Sequence, residues 1–156
     1  MNQIDTKTVT LVRPIKQGII TSGYGLRIAP FNPTTKEFHT GIDIGVNGNP
    51  SNVPVYFAKP GKISYINNDI SKGQQSGGGF GRVIYVQLID GYFAIYPHLA
   101  LINYDLKLGD IVNAGDFAGI MGMTGLSTGI HIHYEERVSM APGNSREPID
   151  VIKLYS

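Results

Sequence analysis

From Val53 onward the chain is a succession of short apolar runs separated by turn residues, the pattern of a β-rich domain. Residues 53–58 (VPVYFA) and 61–66 (GKISYI) read as strands on either side of a Lys59-Pro60-Gly61 turn. Residues 82–89 (RVIYVQLI) and 92–99 (YFAIYPHL) flank Asp90-Gly91, a strong hairpin signal. Residues 117–122 (FAGIMG) and 131–138 (HIHYEERV) predict two further strands, the second fed by a glycine-rich turn at 124–129 (TGLSTG). Two glycine turns bracket a short apolar segment at 107–115, and 72–81 (KGQQSGGGFG) predicts a flexible hairpin loop. Upstream, 18–27 (GIITSGYGLR) is an apolar piece ending in a glycine turn, and 30–35 predicts a loop with two prolines. The tail from Arg146 predicts one short helix or strand. No stretch has the period of a long amphipathic helix. The fold class is therefore all-β and mainly antiparallel.

Composition narrows this picture. A length of 156 residues, without internal repeat or linker, suits a single domain over 1–156, with its core at about 19–150. Apolar residues make up 42% and charged residues 16%, as in a compact chain. The net charge of +1 offers no field for nucleic acid. No apolar run approaches the roughly 20 residues that span a bilayer, so membrane insertion is not expected. The N-terminus lacks the shape of a signal peptide. The chain is thus expected to be cytosolic when made, a piece of a longer protein, or released by lysis. With no cysteine, thiolate metal sites and a cysteine nucleophile are excluded.

The candidate chemistry lies in four histidines, His39, His98, His131 and His133. His131 and His133 are two apart on a predicted strand, so both rings face one side. Their spacing suits one ring on a metal and the other beside it. His39 and Asp43 are four apart across Gly41, where a curve in an extended chain would bring them together. Two imidazoles and one carboxylate are donors zinc accepts, and three protein ligands leave one tetrahedral corner open, as in catalytic zinc. His98 follows Pro97, which is expected to limit its strand and turn the ring toward a neighbour. Glu135 shares the strand face of His133 and can serve near the site or as a plain structural hydrogen bond. Taken singly, each of these residues has an ordinary structural explanation; their combination in glycine-punctuated segments points to a site.

At these residues the chain resembles the lysostaphin/LytM-type zinc metallopeptidases. The run from His39 to Asp43 is similar to their HxGxD signature, and 122–135 to their G-x-T-G-x-S-T-G-x-H-x-H-x-E signature. In the same order, 53–63 resembles a family hairpin, 79–86 its G-x-G…V-x-I strand, 96–99 its Y-x-H-L and 20–27 its entry motif. The resemblance runs from about Ile19 to Asp150. It implies a two-sheet antiparallel β domain with a groove, zinc held by His39, Asp43 and His133, and His98 and His131 as catalytic residues. It also implies a peptidoglycan endopeptidase that cuts peptide cross-links or bridges outside the cell, in the periplasm or from a virion. His131 is then expected to take the proton of the attacking water. His98 would stabilise the oxyanion or protonate the amine, though the two could exchange roles. Tyr24 and Tyr96 are candidates for a transition-state tyrosine. The alternatives are a non-catalytic wall-binding or amidase-activating module, and a phage tail lysin component.

Overall fold

The computed structural model describes residues 10–48, 50–69, 79–124, 130–141 and 143–156. Thirteen strands and one short helix are present among them. In chain order these are β1 (Ile19–Ser22), β2 (Gly25–Ala29), β3 (Asn32–His39), β4 (Gly41–Gly45), β5 (Pro54–Tyr56), β6 (Gly61–Asn67) and β7 (Arg82–Leu88). They continue with β8 (Phe93–Leu99), β9 (Leu101–Ile102), β10 (Ile111–Val112), β11 (Phe117–Ile120), β12 (Ile132–Arg137), β13 (Ser145–Arg146) and α1 (Ile149–Lys153). The pairings between the described strands are all antiparallel.

The large sheet runs β1-β4-β12-β8-β7-β6-β10, and β13 pairs with the far end of β12. A second sheet, β5-β11-β9, lies against one face of it. Between them sits the main core. β4 contributes Ile42 and Ile44, β12 contributes Ile132 and Tyr134, and the small sheet region answers with Val55, Phe57 and Ala118. Tyr96 packs edge-on against both Phe57 and Tyr134, with ring centroids 5.4 Å apart in each pair. Strand alternation then fixes what faces away from this core. Asp43 lies between Ile42 and Ile44, and His133 between Ile132 and Tyr134, so both project from the opposite face.

A third element, the two-stranded ribbon β2–β3, stands apart from both sheets. It leaves Leu26, Ile28 and Phe38 exposed. The loop expected at 30–35 is thus largely strand, because Asn32 already pairs with Ala29. Proline is tolerated there because the ribbon is an edge on both sides. A second correction concerns 53–66. Its two strands do not form a hairpin: β5 pairs with β11, whereas β6 pairs with β7 and β10. Lys59-Pro60 therefore carries the chain from one sheet to the other.

The Asp90-Gly91 hairpin forms between β7 and β8 as expected. The tail supplies both a strand pair, β13, and the helix α1. Most of the predicted 72–81 loop and of the 124–129 turn lies outside the described residues.

Candidate metal centre

Register places the first two candidate ligands side by side. His133 of β12 stands directly opposite Asp43 of β4. Opposed side chains on one face of an antiparallel pair have Cβ atoms about 4.5–5.5 Å apart, close enough to share an ion. His39, the last residue of β3, comes from the ribbon and is separated from β4 by the single residue Thr40. Gly41 makes the convergence possible. A Cβ there would lie 2.8 Å from His133 Nε2 and closer still to the Tyr134 carbonyl oxygen. Gly41→Val is accordingly expected to cost at least about 2 kcal/mol of stability through overpacking and to displace the His133 ring. Denaturant melts and metal titration of the variant would check both effects; an undisturbed melt would refute the close-packing account.

The three ligand atoms form a compact triangle. His133 Nδ1 is 3.0 Å from Asp43 Oδ1, His39 Nε2 is 3.3 Å from the same oxygen, and the two ring nitrogens are 3.1 Å apart. Donors at the corners of a zinc tetrahedron with bonds near 2.05 Å are separated by about 3.3 Å. All three residues are buried, and together they form a group that can hold a metal ion.

Each ligand is also held from behind. His39 Nδ1–H donates to the Gly23 carbonyl at 2.7 Å, which leaves Nε2 as the unprotonated nitrogen facing the triangle. His133 Nε2–H donates to Glu135 Oε1 at 2.9 Å, so Nδ1 faces the triangle. Arg27 donates to Asp43 Oδ2 at 3.0 Å, and also to Ser22 and Glu37, leaving Oδ1 for the centre. Such outer partners orient metal ligands and raise their basicity.

The electrostatics follow from this crowding. Burial by itself would push the Asp43 carboxyl up, but its hydrogen bonds to His133 and His39 outweigh that and hold it far below the usual carboxylate range. Burial likewise opposes charge on the His133 ring, yet the bonds to Asp43 and Glu135 raise it to about 9. A divalent ion held by the three residues would displace the second ring proton from His133.

His98 and His131 flank the triangle. The His131 Nε2 atom is 3.5 Å from Asp43 Oδ1, and the His98 and His131 ring centroids are 5.9 Å apart. Pro97 does not end its strand. Instead the β7–β8 ladder shifts register between Ile84↔Tyr96 and Arg82↔Leu99, leaving Pro97 and His98 opposite Val83 alone. This two-against-one bulge removes the need for a proline N–H and re-aims the next side chain. His98 takes a left-handed backbone, φ 60°. Its N–H donates to the Phe80 carbonyl at 2.7 Å, and its ring Nδ1–H to the Thr124 carbonyl at 2.7 Å. Burial pushes the ring down to about 4, against the pull of the Thr124 carbonyl. His98 is therefore neutral at pH 7, with Nε2 as its open acceptor.

A cleft of about 260 Å³ touches all five residues and is lined as well by Phe31, Phe38 and Phe80. A larger cleft of about 810 Å³ continues from it past β1 and shares Arg27, Asp43 and His131. Of the two tyrosine candidates, Tyr96 is excluded by position. It is fully buried in the core, and its hydroxyl accepts the Ala58 N–H. The Tyr24 hydroxyl is engaged with Ser145. Sequence reasoning did not single out Thr40, Phe80 or Arg137. Only Arg137 left a signal, as the third member of the His133, Glu135, Arg137 alternation along β12.

Comparison with known proteins identifies the family. The description Peptidase family M23 matches residues 37–148. DD-carboxypeptidase/endopeptidase Mpg of Neisseria meningitidis is 32% identical over 133 residues, which cover 85% of this chain and 27% of that protein. Lysostaphin of Staphylococcus simulans is 29% identical over 132 residues, covering 84% of this chain and 24% of lysostaphin. The chain thus spans about a quarter of the length of these relatives. Among solved structures, the catalytic domain of lysostaphin superimposes with a TM-score of 0.70 at 28% identity, covering 87% of this chain and 92% of that domain. The catalytic domain of the prophage-encoded M23 protein EnpA from Enterococcus faecalis gives 0.67 at 30% identity, covering 86% and 91%. The mainly antiparallel fold, the His-Asp-His group and the matched span together place this chain in peptidase family M23.

Proposed function

We propose that the chain is a zinc-dependent endopeptidase that hydrolyses peptide cross-links or bridges of bacterial peptidoglycan. The observation that carries this reading is the triangle of His39 Nε2, Asp43 Oδ1 and His133 Nδ1, with edges of 3.0–3.3 Å and two further imidazoles beside it. Two nitrogens and one carboxylate oxygen suit zinc and leave a corner of the tetrahedron open. Zinc bound there supplies Lewis-acid polarisation of the scissile carbonyl and lowers the pKa of water.

The protein's own residues do the rest. His98 is neutral, with Nδ1–H tied to the Thr124 carbonyl, so Nε2 is ready to accept a proton from the attacking water. His131 stands on the other side, within 3.5 Å of Asp43 Oδ1, where it can donate to the carbonyl oxygen as charge develops. Water adds to the carbonyl carbon, the C–N bond breaks, and the proton taken by His98 ends on the leaving amine. Of the two assignments left open by the sequence, this one is favoured by the hydrogen bond to the Thr124 carbonyl, which leaves Nε2 of His98 as the acceptor. The cleft over the triangle and the larger one that shares Arg27, Asp43 and His131 with it offer room for a peptide running past the scissile bond.

Digestion of purified walls from Gram-positive and Gram-negative cells, followed by mass spectrometry of the products, tests the reading. The expected result is newly released amino termini on peptide fragments, lost with a chelator and restored by zinc. Stoichiometric zinc without cleavage of any wall type would instead favour a binding module.

A further inference from the structure

We infer that Glu135 is a positioning residue for the metal centre: it selects which ring nitrogen of His133 faces the ion. This inference rests on the proposed zinc site and adds a determinant from outside its ligand shell. His133 can present either nitrogen, and only Nδ1 lies within the triangle. What decides between them is the partner behind the ring. Glu135 Oε1 accepts His133 Nε2–H at 2.9 Å, two residues along the same strand and on the same face.

Glu135 is itself fixed. Its Oε1 also accepts the Thr40 hydroxyl at 2.7 Å, and its Oε2 accepts the Arg137 Nε–H. Thr40 is the one-residue break between β3 and β4, so the same carboxylate ties the hinge beside ligand His39 to the ring of ligand His133. Arg137 is anchored in turn, with its guanidinium stacked 5.3 Å over Phe80 and Nη1–H donating to the Met140 carbonyl. Glu135 is 1% exposed. A carboxylate this buried, with every bond directed at the ligand ring or at residues that brace it, does more than fill space. A carboxylate behind a ligating imidazole fixes its tautomer and raises its basicity, and losing such a partner typically costs 10–100-fold in metal affinity.

The alternative is that Glu135 merely neutralises Arg137 inside the sheet. The two roles separate in Glu135→Gln and Glu135→Ala. Glutamine keeps the shape and an acceptor oxygen but loses the charge; alanine loses both. The measurements are the zinc dissociation constant by chelator competition, the melting temperature of the metal-free protein, and long-range 1H–15N spectra of histidine-labelled, zinc-loaded protein. We expect zinc affinity to fall about tenfold in Glu135→Gln and toward 100-fold in Glu135→Ala. The spectrum should lose the protected Nε2–H signature of His133 in the alanine variant.

Zinc affinity within twofold of the parent, in whichever of the two variants folds, would overturn the inference and leave a structural ion pair. Should only the glutamine variant fold, its affinity decides on the same criterion. If the parent protein binds no zinc at all, it is the proposed function that fails.

Discussion

His39→Ala, Asp43→Asn and His133→Ala are each expected to lose zinc and peptide cleavage together, with turnover falling to background. The reason is geometric. Three donors at 3.0–3.3 Å from one another define the candidate site, and the His131 ring, 3.5 Å from Asp43 Oδ1, stands outside that group. Asp43→Asn is the most informative of the three. It keeps the size of the side chain and an oxygen acceptor for Arg27, so the fold should persist, but it removes the charge that balances the ion. Metal content by elemental analysis, read beside turbidity loss of wall suspensions, checks the prediction. Cleavage retained by any of the three variants at zero metal would end the metal-dependent account.

The second large effect separates chemistry from metal binding. His98→Ala and His131→Ala should retain zinc with near-parent affinity while kcat falls about 10²–10⁴-fold, the range for losing a positioned acid or base. Neither ring belongs to the triangle, and the three ligands keep their outer hydrogen bonds in both variants. His98→Ala should also change the pH profile. The ring sits near 4 because burial disfavours its charge. A proton-accepting role therefore predicts activity that survives down to mildly acid pH and falls only as His98 protonates. Parallel metal titrations and pH-rate profiles would test this, and unimpaired turnover in His98→Ala would remove it from the mechanism.

The parts of the fold legible in the sequence were those set by local chemistry. Asp90-Gly91 specifies its own turn, and β7 and β8 follow from it. β12 was readable because HIHYEER alternates, and the alternation told correctly which side chains share a face. The proximity of His39, Asp43 and His133 was approachable for the same reason, since period-two spacing and a glycine between His39 and Asp43 constrain where the side chains project. What escaped was everything decided by distant partners. β3 begins in a proline-containing segment because β2 pairs with it. β5 and β6 look like a hairpin, but each pairs instead with a strand farther along the chain, β5 with β11 and β6 with β7. Thr40 carries no local mark of function; its hydroxyl matters because Glu135, ninety-five positions on, lies across from it.

The bulge at Pro97-His98 has a further consequence. Left-handed backbone costs a residue with a Cβ on the order of 1 kcal/mol, whereas glycine adopts it freely. Glycine is therefore what the backbone at position 98 would choose, and it would make a sturdier molecule that lacks the imidazole. On the proposed mechanism, robustness is given up locally in return for reactivity, and position 98 is where these two demands pull in opposite directions.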